Sequence, residues 1–379
     1  MVDYSKWDDL DSDSDDGSKL QKKKKGFVQD TKASIKPVPT ERTSEALIPS
    51  VDPERVALLA KHGITLTQIE PMGARVTGLD FKKGVEPPTE CLEALQIEMA
   101  IRGFIVFAEQ GVLSGDEQVW ASELWGGREI HSTHGVHPES PNEHIFRLSN
   151  DRMRGTNGVG PQWHNDGSFV EGTFSHVGYH IVAVPKNGGD TQFCHQGAAF
   201  DTLSLEKQQY WERLVSVNSS SGVCHPLVHA HPISGRKSVW LHLGMTGAVL
   251  EVTYNGDERN LRLLEHQELW DLMNEYNDLL TAGVQGGSYG ISYPYQAGDC
   301  VVIDNLAIAH RAAAEAHMSV AKQGLRIMHR TTVKAMQPFR PGHGLPQFLN
   351  IKGPNPLKQG IWHGQYIGFR WNNEMHMQN

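Results

Sequence analysis

The stretch Gln162-Trp163-His164-Asn165-Asp166-Gly167-Ser168-Phe169 sets an imidazole and a carboxylate two positions apart in an aromatic setting. In an extended strand, residues i and i+2 point to one face, so His164 and Asp166 could present a nitrogen and an oxygen to a single ion. The pair is a weak signal alone, because the chain has 20 histidines. A third ligand is needed, and His310 is the candidate. It follows the apolar run Cys300-Val301-Val302-Ile303-Asp304 and a short loop. Two histidines and one carboxylate on one face of an octahedral ion leave three positions open, which points to a non-haem Fe(II) oxygenase and away from a closed structural zinc site.

Downstream, Gly324-Leu325-Arg326-Ile327-Met328-His329-Arg330 places two arginines four apart on an otherwise apolar segment. On a strand they share a face, so both guanidinium groups can enter one cavity. Burying them is costly unless each meets an anion, and the planar fork suits a carboxylate.

The elements that must position these residues fall into two styles. Asp52-Pro53 opens a helix, Ile64 to Ile69 and Ala74 to Leu79 have strand composition, and Pro71-Met72-Gly73 turns between them. A helix fits Thr89 to Ile101, Phe104 to Phe107 fits a buried strand, and Ser114 with Glu117 forms a capping box. From Phe146 to about Val333 the pattern is short strands separated by turns, as in a sandwich or barrel. Examples are Val177 to Val184, Asp190 to Cys194, Ser238 to Leu243 and Cys300 to Asp304. Two helical insertions are predicted, near 198–214 and 260–282, the second with Leu263, Leu264, Leu269, Leu272 and Met273 as its core face.

Several other residues receive a plain reading. Trp163 and Trp240 are assigned to the core. His176 and His180 share a strand face and are assigned to structural hydrogen bonding. His225, His229 and His231 are assigned to a polar loop near the pocket and not to a second metal site with Cys224. Trp362, His363, Tyr366, Phe369 and Trp371 make an aromatic segment suited to covering a barrel mouth or a subunit contact.

Length and composition set the frame. With 379 residues, 39% hydrophobic and 21% charged, the chain reads as soluble and globular. Residues 1–45 read as a disordered charged tail, with an acidic cluster from Asp8 to Asp16 ahead of Lys22 to Lys25, and 46–379 as one domain. Ser12 and Ser14 could be phosphorylated, and the lysine run could serve nuclear entry. The net charge of -9 argues against nucleic acid as a partner and leaves small anions open. Four scattered cysteines suit a reducing compartment. No apolar run predicts a membrane span and no leader is evident, so a cytoplasmic location is expected.

Taken together, these pieces resemble the taurine dioxygenase-like (TauD/TfdA) family of Fe(II)/2-oxoglutarate dioxygenases. The resemblance is collinear over most of 65–335. It rests on Met72-Gly73-Ala74-Arg75-Val76-Thr77-Gly78, Arg102-Gly103-Phe104-Ile105-Val106-Phe107, Trp163-His164-Asn165-Asp166, Gly188-Gly189-Asp190-Thr191, Asp304-Asn305 with His310, and Arg326 to Arg330. It implies a mainly β fold with flanking helices (α+β) and a double-stranded β-helix (jelly-roll) core. It implies His164, Asp166 and His310 as iron ligands. Arg326, helped by Thr191, would bind the distal carboxylate of 2-oxoglutarate, and Arg330 would border that co-substrate and reach an anionic group of the substrate. His131 and Phe169 would line the substrate pocket. Fe(II), 2-oxoglutarate and O2 are the implied cofactors, with a small polar or anionic molecule as substrate and succinate and CO2 as products. Hydroxylation is the default outcome. Desaturation, ring closure and purine (xanthine-type) hydroxylation remain open, as does a homo-oligomer. A non-oxidative cupin-like metal enzyme and a catalytically silent sensor are the competing classes.

Overall fold

A computed structural model of the protein describes residues 47–126, 130–131, 135–255 and 258–334. The tail of 1–45 and the aromatic segment around Trp362 to Trp371 lie outside the described residues. In chain order the elements are α1 (Pro53–Lys61), β1 (Thr65–Gln68), β2 (Ala74–Thr77), α2 (Thr89–Arg102), β3 (Phe104–Phe107), α3 (Gly115–Glu123), β4 (Ile130–His131) and β5 (Phe146–Ser149). Then come β6 (Phe174–Ala183), β7 (Thr191–His195), α4 (Gln196–Asp201), α5 (Leu205–Trp211), β8 (Leu214–Asn218), β9 (Cys224–Pro226), β10 (Val228–Ala230) and β11 (Lys237–Val239). The last are β12 (Thr246–Asn255), β13 (Glu258–Leu263), α6 (His266–Gln285), β14 (Gly290–Tyr293), β15 (Cys300–Asp304), β16 (Ile308–Ala312), α7 (Val320–Gln323) and β17 (Ile327–Lys334). The architecture is mostly β with helices packed outside. Among the described residues, no helix is long and apolar enough to cross a membrane.

Local chemistry explains the early elements. Asp52 caps α1 by accepting from the Glu54 amide at 2.7 Å, and Pro53 takes the first helical position, where its missing N–H costs nothing. Ser114 and Glu117 form the reciprocal capping box that starts α3. At the end of α2, Gly103 adopts φ 91°, and a Cβ there would fall 2.3 Å from Ile308 Cγ2. Only glycine lets α2 turn this tightly into β3.

Among the described residues the largest sheet runs β1-β2-β3-β15-β6-β17-β4, with β5 also paired to β17. Its central strands are buried on both faces, and strict alternation divides them between two cores. Phe104, Val106, Val301, Ile303, Val177 and Tyr179 enter the inner core. Ile105, Phe107, Cys300 and Val302 face outward against Leu92, Leu95 and Met99 of α2 and Trp125 beyond α3. A three-stranded sheet, β14-β7-β16, contributes Phe193, Ile308 and Ala309 to the inner core. A four-stranded sheet, β13-β12-β8-β9, and the β10-β11 pair complete the strands.

Three expectations need correction. Residues 198–214 are not one helix: α4 ends at Asp201, Ser204 caps α5, and Leu214 already opens β8. The helix expected over 260–282 begins only at His266, because 258–263 pairs with β12 as a hairpin arm and Glu268 caps the Glu265 amide at 2.8 Å. Leu264, Leu269, Leu272 and Met273 do pack in the core. His225 and His229 are buried strand residues on β9 and β10, not a polar loop, and His231 is buried beside them.

Candidate active site

His164 and Asp166 reach one face by a different route from a shared strand. His164 sits in a single β-bridge with His310, each donating its amide to the other's carbonyl at 3.0 Å, and Asp166 opens the turn that follows. His310 lies in β16, in register with Phe193 of β7. The imidazole centroids of His164 and His310 are 4.2 Å apart, and His310 Nε2 stands 3.7 Å from Asp166 Oδ2. All three residues are buried, and one ligating atom from each lies within 4.8 Å of the others.

The donor set fits a divalent ion. His164 Nδ1 lies 2.7 Å from the Gln162 carbonyl; a carbonyl only accepts, so Nδ1 carries the proton and Nε2 keeps its lone pair for a metal. Gly160, with φ 70°, leaves that edge open: a Cβ there would lie 2.9 Å from His164 Cε1 and 3.5 Å from Nε2. Burial pushes both imidazoles below their usual range, which keeps them neutral and ligating. His310 Nδ1 is buried without a hydrogen-bond partner among the described residues.

Two asparagines hold this arrangement. Asn305, fully buried, accepts from the Asp166 amide at 2.9 Å and donates to the carbonyls of Asp166 and Phe174 at 2.9 and 2.8 Å. Asn165 donates to the carbonyls of Asn305 and Ile308 at 2.7 and 2.9 Å. The loop between β15 and β16 is thereby tied to the turn carrying Asp166. Asp304 anchors the loop from behind, accepting from Leu306 N and Ala307 N and pairing with His231 at 3.0 Å. Burial alone would raise its pKa, but His231 and these bonds bring it down to about 2. His176 lies near this carboxylate, and His180 contacts the Gly111 carbonyl at 2.9 Å, so both serve structure.

The arginines differ from each other. Arg330 Nη1 donates to Asp166 Oδ1 at 2.9 Å, and its guanidinium lies 4.9 Å from the Phe146 ring centroid. Arg326 precedes β17. Its Nε donates to the Gly189 carbonyl at 3.1 Å, yet it forms no ion pair with a described residue although only 8% exposed. Burial lowers its pKa. Arg326 lines a small cavity with Ile181, Gly189, Tyr295 and Met328. Thr191 is buried at the start of β7, and the Tyr295 hydroxyl lies beside its own.

Residues 65–332 match the family described as taurine catabolism dioxygenase TauD, TfdA. The chain belongs to the TauD/TfdA family. As a TauD/TfdA protein it is an oxidoreductase of the α-ketoglutarate-dependent dioxygenase class. It is 24% identical over 299 residues to the α-ketoglutarate-dependent sulfonate dioxygenase of Saccharomyces cerevisiae, covering 71% of this chain and 68% of the yeast protein. It is 23% identical over 284 residues to the α-ketoglutarate-dependent sulfate ester dioxygenase of Pseudomonas putida, covering 67% of this chain and 86% of that one. The crystal structure of AAD-2 in complex with Mn(II) and N-oxalylglycine superposes with a TM-score of 0.56 at 22% identity, covering 73% of this chain and 98% of the other. That likeness concerns the TauD/TfdA fold.

The structure places the remaining candidates less centrally. Phe169 sits in the turn after Asp166, half-buried and edge-on to Phe174 at 6.2 Å. The His131 backbone pairs with Thr332 on β17, and its side chain lies outside the described residues. His242, which sequence reasoning passed over, lies with its ring centroid 5.1 Å from that of His164. Burial lowers its pKa to about 3, and its Nδ1 accepts from the Gly244 amide. No spacing marks His242, because it comes from the segment between β11 and β12.

Proposed function

We propose that this chain is a non-haem Fe(II)/2-oxoglutarate-dependent dioxygenase that hydroxylates a small anionic molecule and releases succinate and CO2. Its core is proposed to be a double-stranded β-helix (jelly roll), with 46–379 as one domain. The observation that carries the reading is a juxtaposition: the buried His164–Asp166–His310 set and the buried Arg326, which forms no ion pair with a described residue, both act on the buried Tyr179 hydroxyl, Asp166 and Arg326 with opposite sign. A buried guanidinium in that state calls for an anion from outside, and a carboxylate fits its fork.

His164, Asp166 and His310 would hold Fe(II), which would supply the coupling of O2 reduction to decarboxylation of 2-oxoglutarate and C–H oxidation. Arg326 takes the distal carboxylate of the co-substrate, with the Thr191 hydroxyl beside it. Arg330 neutralises Asp166 and borders the co-substrate on the metal side, where an anionic substrate group would compete for the same guanidinium. Phe169 and His131 would line the substrate side. The apolar inner core of Ile181, Val177 and Met328 excludes water from the reacting groups. The sulfonate and sulfate ester named for the two relatives favour a substrate with an acidic sulfur group.

The test is succinate release from 2-oxoglutarate by the Fe(II)-loaded protein with ascorbate, across sulfonates, alkyl sulfate esters and carboxylic acids. Failure of the iron-loaded protein to bind 2-oxoglutarate would overturn the reading. Arg326→Ala is expected to weaken 2-oxoglutarate binding far more than metal binding.

A further inference from the structure

Tyr295 is a polar residue of the Arg326 cavity to which no role has yet been given. It follows β14, is 8% exposed, and packs edge-on to Tyr293 with centroids 5.7 Å apart, so its ring direction is fixed. Its hydroxyl is buried and makes no hydrogen bond of ordinary geometry to a described residue. Yet it lies beside the Thr191 hydroxyl and within electrostatic reach of Arg326. Burial raises the phenol pKa, so at neutral pH the group is a donor.

The neutral Thr191 hydroxyl is the partner beside it, and a carboxylate in the cavity would give the phenol a charged and stronger acceptor. The cavity shared by Tyr295 and Arg326 is where that acceptor would lie. A carboxylate has about four lone-pair sites, and a guanidinium fork uses two of them. Tyr295 and Thr191 then supply neutral donors for the remainder. Arg326 orients a carboxylate along its fork, and a fixed phenol adds a donor from a second direction.

We propose that Tyr295 is a third donor to the distal carboxylate of 2-oxoglutarate and sets the preference for this dicarboxylic 2-oxo acid over one with an uncharged tail. The proposal rests on the 2-oxoglutarate reading above. It adds a source of selectivity to Arg326 and Thr191, because an uncharged tail in the cavity would offer the phenol no charged acceptor.

The test is calorimetric titration of the Mn(II)-loaded protein, without O2, with 2-oxoglutarate and with 2-oxopentanoate, which lacks the distal carboxylate. Tyr295→Phe is expected to weaken 2-oxoglutarate binding about 10- to 100-fold, the effect of a hydrogen bond to a charged group, and to change 2-oxopentanoate binding by less than about two-fold. Unchanged 2-oxoglutarate affinity, or an equal loss for both acids, overturns the proposal. If the wild-type protein binds neither acid, the 2-oxoglutarate reading itself fails, which is a separate outcome. The ratio of the two affinities is read within one protein preparation, so a general loss of folded material does not alter it. Tyr295→Met provides the same ratio should the phenylalanine variant not fold.

Discussion

Arg330 Nη1 and Asp166 Oδ1 stand 2.9 Å apart with both side chains about nine-tenths buried, so the carboxylate of the candidate metal triad already has a cation beside it. A metal ion at the triad would add a second positive charge to the same carboxylate. Replacing Arg330 by alanine therefore has opposite consequences without and with metal. The metal-free variant is expected to lose about 3–5 kcal/mol of stability, the cost of removing one partner from a buried pair. Added Mn(II) should raise its melting temperature more than it raises that of the wild type. An equal rise in both proteins would show that Arg330 does not stand in for the ion.

Asn305 is the hinge of the loop that carries His310. Asn305→Ala leaves the Asp166 amide and the carbonyls of Asp166 and Phe174 without that partner inside the protein. Metal affinity should fall about 10- to 100-fold, as for other residues that orient ligands. Asn305→Asp should not rescue it, since a carboxylate cannot donate to either carbonyl. Metal titration by calorimetry decides the matter, and wild-type affinity in either variant would refute the role.

Gly160 predicts a steric effect on a single ligand. A methyl group there would press on His164 Cε1 at 2.9 Å, and φ 70° would strain any side chain. Gly160→Ala is expected to weaken metal binding while leaving 2-oxoglutarate selectivity among the metal-bound molecules intact. Substitution at Gly158, where a Cβ would meet nothing within 4 Å, is the control for the backbone strain alone, at φ 79°.

The pH dependence follows from buried histidines outside the triad. Burial lowers His195, His229 and His329 to about 3 and His225 to about 4, from an ordinary value of 6.5. Each folded-state value lies below the unfolded one, so the unfolded chain binds more protons between them. Stability is full above pH 6.5 and is lost as pH falls toward the folded values, by up to about 1.4 kcal/mol per pH unit for each histidine. Asp304, at about 2, adds its loss only below about pH 4. Urea unfolding of the metal-free protein at pH 7.5, 6 and 5 should show a steady decline. A flat profile would contradict the neutral, buried state of these rings.

Much of this was legible in the sequence where chemistry and local spacing coincide. Phe104 to Phe107, Cys300 to Asp304, and the Ser114 and Asp52 caps appear with bounds close to those read from patterns, because alternation and capping are local. The HxD spacing pointed to two residues that do lie together, but for a partly wrong reason. His164 belongs to a bridge with a residue far along the chain and Asp166 to a turn, and neither is visible from period two. The segment 260–263 has leucines that serve a helix or a hairpin equally well, and pairing with β12 decided it. Asn165 and Asn305 stand inside motifs read from the sequence, but their bonding roles come from contacts across more than a hundred residues, and His242 and Tyr295 carry no spacing signal.

The reciprocal amide bonds between His164 and His310 carry one more consequence. A rung of antiparallel backbone sets how far apart the Cα atoms of these two histidines stand. The bite is thus fixed in advance, and divalent ions of similar radius should all be seated by it. Discrimination at such a triad would fall to donor softness and to cellular supply, so a metal held there would be chosen as much by its surroundings as by the fold.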